Sequence, residues 1–183
     1  MERREQLRLL KGLIGHLDNK TNINAGGILK APADTYISEE RFEREWGTFF
    51  LNHPQIIGMS GDLPKPNTFI TTEDFGVPVL ATRNSSGEFK AYANVCSHRG
   101  VTVENLKRGE KSRFSCPFHG WTFNNDGSLI GYPKKEQFGE IDKDCYGLKE
   151  LPALERFGFL WVHPKRDGEI DLDQLLGKEL TEE

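Results

Sequence analysis

The pattern Cys96-Ser97-His98-Arg99-Gly100, followed by Cys116-Pro117-Phe118-His119-Gly120-Trp121, constrains this chain more than any other feature. It reads C-x-H, seventeen residues, then C-x2-H. Each clip offers one thiolate and one imidazole, and a glycine follows each histidine. A fold that carries it must bring two loops together so that four side chains converge. The donor set suits a two-iron, two-sulfide cluster in which both cysteines bind one iron and both histidines the other. Thiolate is soft and tolerates ferric iron bridged by sulfide, whereas imidazole binds as a neutral ligand. Two neutral ligands in place of two thiolates remove two negative charges, so reduction is easier than in an all-cysteine cluster. Gly100 and Gly120 are expected to let the backbone turn tightly, and Pro117 to stiffen the second loop. Backbone N–H groups in these loops are expected to donate to sulfur.

Three plainer readings compete. A structural zinc site also uses two cysteines and two histidines. The usual zinc finger pairs Cys with Cys and His with His, whereas both clips here are mixed. Alternatively, the cysteines are small buried residues and the histidines surface ones; two glycine-flanked clips make that coincidence a poor account. A cysteine redox pair would need C-x-x-C, which does not occur. Cys96, His98, Cys116 and His119 are therefore the expected ligands of an iron–sulfur cluster, and a zinc-binding interaction module is the alternative from another class.

The chain has 183 residues, enough for one compact domain with extensions. At 36% hydrophobic and 10% aromatic, it can fill a core. The net charge is −4, and no basic stripe interleaves with aromatics, so nucleic acid is not an expected partner. No apolar run approaches a membrane span, and the start, M-E-R-R-E-Q-L-R-L-L, is too charged for a secretory signal. Of three cysteines, only Cys145 lies outside the clips, so there is no disulfide framework and a reducing cytoplasm is expected.

Along the chain, Leu7, Leu10, Leu13, Ile14 and Leu17 recur at helical spacing within residues 2–18. This predicts an amphipathic packing helix, with partner docking as the alternative role. Asn19, Asn22, Asn24, Gly26 and Gly27 predict a loop over 19–32. Ser38 reads as an N-cap for a second helix through about Trp46, with Glu39 and Glu40 at its positive end. Phe42, Trp46, Phe49 and Phe50 are expected to dock that helix onto the next domain. Short β runs are predicted at 55–59, 67–72, 77–83, 88–95, 112–115, 121–124, 129–131 and 156–162. Residues 133–150 read as a long polar excursion, and 165–183 as a short helix or frayed tail.

The two clips resemble the Rieske iron–sulfur motif. E-F-K-A-Y-A-N-V-C-S-H-R-G (88–100), C-P-F-H-G-W-T-F with the later D-G-S-L, and Tyr36 with F-E-R-E-W-G-T-F-F resemble the large (alpha) subunits of aromatic-ring-hydroxylating oxygenases, over roughly residues 36–163. The resemblance implies a mainly β fold: a Rieske-type antiparallel β-sandwich or barrel with two cluster-binding loops, preceded by N-terminal helices. It implies a helical lead-in at 1–52, a Rieske domain at 53–165 and a polar tail at 166–183. The implied cofactor is a [2Fe–2S] cluster, the electron donor a reductase or ferredoxin, and the acceptor a mononuclear iron in an oxygenase catalytic domain or neighbouring subunit. In that family the second-clip histidine faces the neighbouring subunit's iron, so His119 is the implied exit ligand, and there is room for a homo-oligomer.

The remaining histidines, His16, His53 and His163, are far apart in sequence and show no paired spacing beside an acid. No catalytic residue is assigned, and the chain is expected to act as an oxidoreductase component rather than as a catalyst alone. It is expected to be the cluster-bearing part of an oxygenase large subunit, truncated or split. High-potential Rieske proteins carry an extra Cys in each loop and a Ser after the second Gly. Here Val101, Phe118 and Trp121 stand at those places, implying the lower part of the range of about −150 to +300 mV. The fifty residues ahead of the first strand favour an oxygenase subunit over the alternative, a stand-alone Rieske-type ferredoxin.

Overall fold

The computed structural model describes residues 2–23 and 26–181. Asn24 of the expected loop, and Glu182 and Glu183 of the expected tail, lie outside the described residues. The chain divides into two units, Met1–Arg41 with Asp171–Glu183, and Phe42–Ile170.

In the first unit, α1 (Arg3–Asp18) forms where the apolar spacing predicted it. Its stripe of Leu7, Leu10, Leu13, Ile14 and Leu17 is exposed, and no residue of the helix is buried. A single turn, α2 (Asp34–Ile37), precedes α3 (Glu39–Glu45). The Ser38 hydroxyl accepts the Arg41 N–H at 3.3 Å, and Glu39 and Glu40 occupy the first turn, as the capping signal required. The C-terminal stretch takes the short-helix form among its described residues. It forms α4 (Leu172–Leu176), capped by the Asp171 carboxylate on the Gln174 N–H, and then α5 (Lys178–Thr181).

The second unit begins at Phe42, within α3, and continues into a π-helical turn, Trp46–Phe50. Phe42, Trp46 and Phe50 stack on one another at ring-centroid distances of 5.8 and 5.0 Å. The four-residue spacing sets ring over ring. The aromatics thus pack among themselves, and Phe42, Phe49 and Phe50 stay exposed instead of entering the core.

Eleven strands follow in three antiparallel sheets. They are β1 (Gln55–Met59), β2 (Thr68–Thr72), β3 (Val79–Arg83), β4 (Phe89–Ala93), β5 (Arg108–Glu110), β6 (Arg113–Ser115), β7 (Thr122–Asn124), β8 (Leu129–Gly131), β9 (Glu150–Leu151), β10 (Ala153–Arg156) and β11 (Phe159–Val162). The orders are β1-β11-β10, β5-β2-β3-β4-β9 and β6-β7-β8. All eight expected runs contain a strand. The last expected run, 156–162, is not continuous, because Phe157 and Gly158 both adopt positive φ (58° and 77°) and turn β10 into β11. β5 and β9 fall outside the expected runs, and β10 shares only Arg156 with them.

Period-two alternation makes the five-stranded sheet central. Ile70, Val79, Ala81 and Ala91 point to one face, where they pack with Leu151, Leu160 and Val162. Phe69, Leu80 and Tyr92 point to the other, where they pack with Phe114, Phe123, Leu129 and the two clip cysteines. Both faces are therefore buried, and the clip-bearing sheet is held against one of them.

Arg83 ties the central sheet to the β1-β11-β10 sheet. Its guanidinium donates to the Leu63 and Gly87 carbonyls at 2.7 and 3.1 Å and to Glu155 at 2.9 Å. The hydrogen bond from Arg83 holds the Glu155 carboxyl below its ordinary value. A carboxyl whose folded pKa is lowered adds stability above its unfolded value, about 4.3, and loses it as pH falls through the folded value. Arg83→Met is expected to cost about 1–3 kcal/mol at neutral pH and to flatten the fall in stability below about pH 4, as read by urea unfolding across pH.

Candidate metal centre

The two clips are the same loop built twice. Val95 bridges Thr102 across the first, and Ser115 pairs with Thr122 across the second. In both, the flanking pair lies one residue before the cysteine and six after it. In the first loop, Gly100 N–H donates to Cys96 C=O at 2.9 Å and Cys96 N–H to Val101 C=O at 2.8 Å. In the second, Gly120 N–H donates to Cys116 C=O at 2.9 Å and Cys116 N–H to Trp121 C=O at 2.8 Å. Gly100 and Gly120 sit at φ +73° and +69°, which only glycine adopts without strain. A Cβ on Gly120 would also meet Pro133 at 3.1 Å. The differing spacings, C-x-H and C-x2-H, therefore place the histidines at different positions of one loop geometry.

Asn94 closes the base of the first loop. Its side chain donates to Glu104 C=O at 2.8 Å and accepts Glu104 N–H at 3.0 Å, as a facing strand would. The Ser97 hydroxyl donates to Tyr146 C=O at 2.6 Å and pins the loop tip to the turn at 143–146.

The donors sort into two pairs. Cys96 and Cys116 are both buried, in the same core cluster. Burial pushes the Cys96 thiol up, and the neighbouring Cys116 adds to this; the backbone N–H groups of His98 and Arg99, directed at its sulfur, pull it down. The rings of His98 and His119 lie 4.8 Å apart at 67°. His98 is half-buried and His119 exposed. Burial, His119 and Arg99 all lower the His98 pKa and favour the neutral imidazole, the form that binds metal. A cavity of about 490 Å³ opens over the two rings, lined by Arg99, Phe118, Trp121, Lys134 and Phe138.

Among the described residues no three His, Cys, Asp or Glu side chains are gathered around one point. The buried sulfur pair, N–H groups aimed at sulfur, and paired imidazoles at the surface fit a mixed-ligand two-iron cluster. Cys145 stands apart: it is exposed, and its thiol donates to Asp142 at 3.4 Å, which raises its pKa. His16, His53 and His163 lie on α1, in the loop before β1 and after β11.

The sequence reading missed the aromatic wall. Residues 133–150 look like a polar excursion, yet Phe138 packs against His98 at 5.5 Å and Tyr146 against Trp121 at 5.7 Å. The available signal was two isolated aromatic residues in an otherwise charged stretch.

No helix among the described residues is long and apolar enough to cross a membrane. The family model described as the Rieske [2Fe-2S] domain matches residues 53–153. The alpha subunit of toluate 1,2-dioxygenase from Pseudomonas putida is 32% identical over 157 residues, covering 83% of this chain and 34% of that one. The large oxygenase component of the naphthalene 1,2-dioxygenase system from Pseudomonas aeruginosa is 36% identical over 146 residues, covering 78% and 32%. Among solved structures, a naphthalene 1,2-dioxygenase variant bound to phenanthrene superposes with a TM-score of 0.69 at 30% identity, covering 78% and 32%. A quaternary ammonium Rieske monooxygenase gives 0.71 at 29% identity, covering 81% and 42%. The chain spans about a third of the length of the curated relatives it matches. With the match running through both clips, the chain belongs to the Rieske [2Fe–2S] domain family, and its cofactor is a [2Fe–2S] cluster.

Proposed function

We propose that Cys96 and Cys116 hold one iron of the cluster and His98 and His119 the other. We further propose that the chain is the electron-transfer portion of an aromatic-ring-hydroxylating oxygenase large subunit. The observation that carries this reading is the sorting of two equivalent loops into a buried sulfur pair and a surface imidazole pair. When bound, the cluster supplies one-electron redox chemistry. The chain's own residues do the rest. The core around Cys96 and Cys116 keeps water from the sulfurs. The N–H groups of His98 and Arg99 favour the Cys96 thiolate. His119, at the surface, offers its ring edge to an acceptor.

In this reading electrons arrive from a reductase or ferredoxin. They leave through His119 towards a mononuclear iron in an oxygenase catalytic domain or neighbouring subunit, within a homo-oligomer. Residues 53–165 form the relay, with 1–52 as lead-in and 166–183 as tail, in a reducing cytoplasm. The names of the toluate and naphthalene relatives favour aromatic substrates for the assembly.

Anaerobic purification is expected to yield two irons and two acid-labile sulfides per chain, with a visible spectrum that bleaches on reduction. Supplied with NADH and a reductase, the chain is expected to cycle electrons without hydroxylating an aromatic by itself. Stoichiometric zinc without iron, or sustained hydroxylation by the chain alone, would overturn the reading.

A further inference from the structure

Trp121 stands just after the second clip, and its indole lies flat on the His98 imidazole, with centroids 4.9 Å apart and planes 3° from parallel. Tyr132, Phe138 and Tyr146 enclose it at 5.6, 5.6 and 5.7 Å. The residue is only 2% exposed. Its Nε1–H is the one buried side-chain nitrogen or oxygen among the described residues without a hydrogen-bond partner. A buried donor left unpaired is costly, and each such group in a native chain calls for an explanation, such as an ion or water that it serves. Trp161 gives the contrast: its indole N–H donates to the Arg156 carbonyl at 3.2 Å. Phenylalanine would fill the Trp121 site without an orphaned donor.

Resting on the ligand set assigned above, we propose that Trp121 is a positioning residue for the cluster. Its face fixes the plane of the His98 imidazole, and its N–H donates to a cluster sulfur. A hydrogen bond to sulfur favours the more negative, reduced state, so this donor raises the potential. It takes the place of the serine hydroxyl that the second clip lacks.

The test uses the intact chain with its tryptophans labelled by ¹⁵N at the indole nitrogen, reduced and examined by pulsed EPR. Among the described residues the other two tryptophans, Trp46 and Trp161, have ring contacts only with Phe42 and Phe50, and with Phe159, so a coupling is assignable to Trp121. A ¹⁵N coupling on the cluster signal is expected. Trp121→Phe is expected to abolish it and lower the midpoint potential, with two irons per chain and the His98 nitrogen couplings retained. Trp121→Leu, which also removes the ring, is expected to alter the His98 couplings. A cluster signal without ¹⁵N coupling in the wild-type chain, or a Trp121→Phe potential equal to wild type, would overturn the proposal. Absence of any cluster signal would instead strike the ligand assignment.

Discussion

Cys116→Ser is expected to strip the chain of both irons, with loss of the visible spectrum and a fall in iron content from two per chain to near zero. The serine hydroxyl is harder than thiolate and stays protonated at neutral pH, so it neither matches ferric iron bridged by sulfide nor supplies the lost charge. Loss of even an outer partner of a metal ligand typically costs about 10- to 100-fold in affinity, and loss of a ligand costs more. Because metal binding is coupled to folding of the site, the variant is also expected to unfold at lower denaturant. Cys145→Ser is the control. Cys145 is exposed and bonded to Asp142, away from the sulfur pair, and its replacement is expected to keep both irons. Iron loss in the Cys145 variant, or iron retention in the Cys116 variant, would move the ligand assignment elsewhere.

A large effect on stability is expected from Gly127→Ala. Gly127 sits at φ +83° in the turn between β7 and β8, and a Cβ there would come within 2.5 Å of the Tyr92 ring. The left-handed backbone alone costs an alanine about 1–2 kcal/mol. The ring cannot retreat, because Tyr92 is 3% exposed and packed with Leu80 and Phe123; overpacking of this kind adds about 1–3 kcal/mol. A total of about 2–5 kcal/mol corresponds to a fall in Tm of roughly 4–20 °C for a chain of this size. Gly76→Ala separates the two causes. Its φ is +70° but nothing lies within 4 Å of a Cβ, so only the backbone part is expected. Equal losses in the two variants would show that contact with Tyr92 carries no weight.

Much of the site was readable along the chain. The four donors lie in two short runs, and their type and spacing report on metal chemistry without reference to the rest of the fold. The five-residue strands β1 to β4 were visible for a similar reason: a half- or fully buried strand must alternate or saturate with apolar residues over five or so positions. The capping of α3 by Ser38 is local as well, since donor and acceptor lie three residues apart. The hairpin at 157–158 escaped because Phe157 takes a positive φ that its side chain gives no reason to expect. β5 and β9, of three and two residues, fall outside the expected runs.

Cysteine, histidine and glycine identities in the clips, readable without any fold, decide which metal centre this chain can carry, because coordination chemistry depends on ligand type and local loop length. The fold alone brings Val95 opposite Thr102 and Ser115 opposite Thr122, so that both loops close in the same way. It also carries Phe138 and Tyr146 back from a charged stretch to wall in His98 and Trp121. The contacts of Phe138 and Tyr146 join residues tens of positions apart, and their selection follows from how the two faces of the central sheet are covered, which no local pattern encodes.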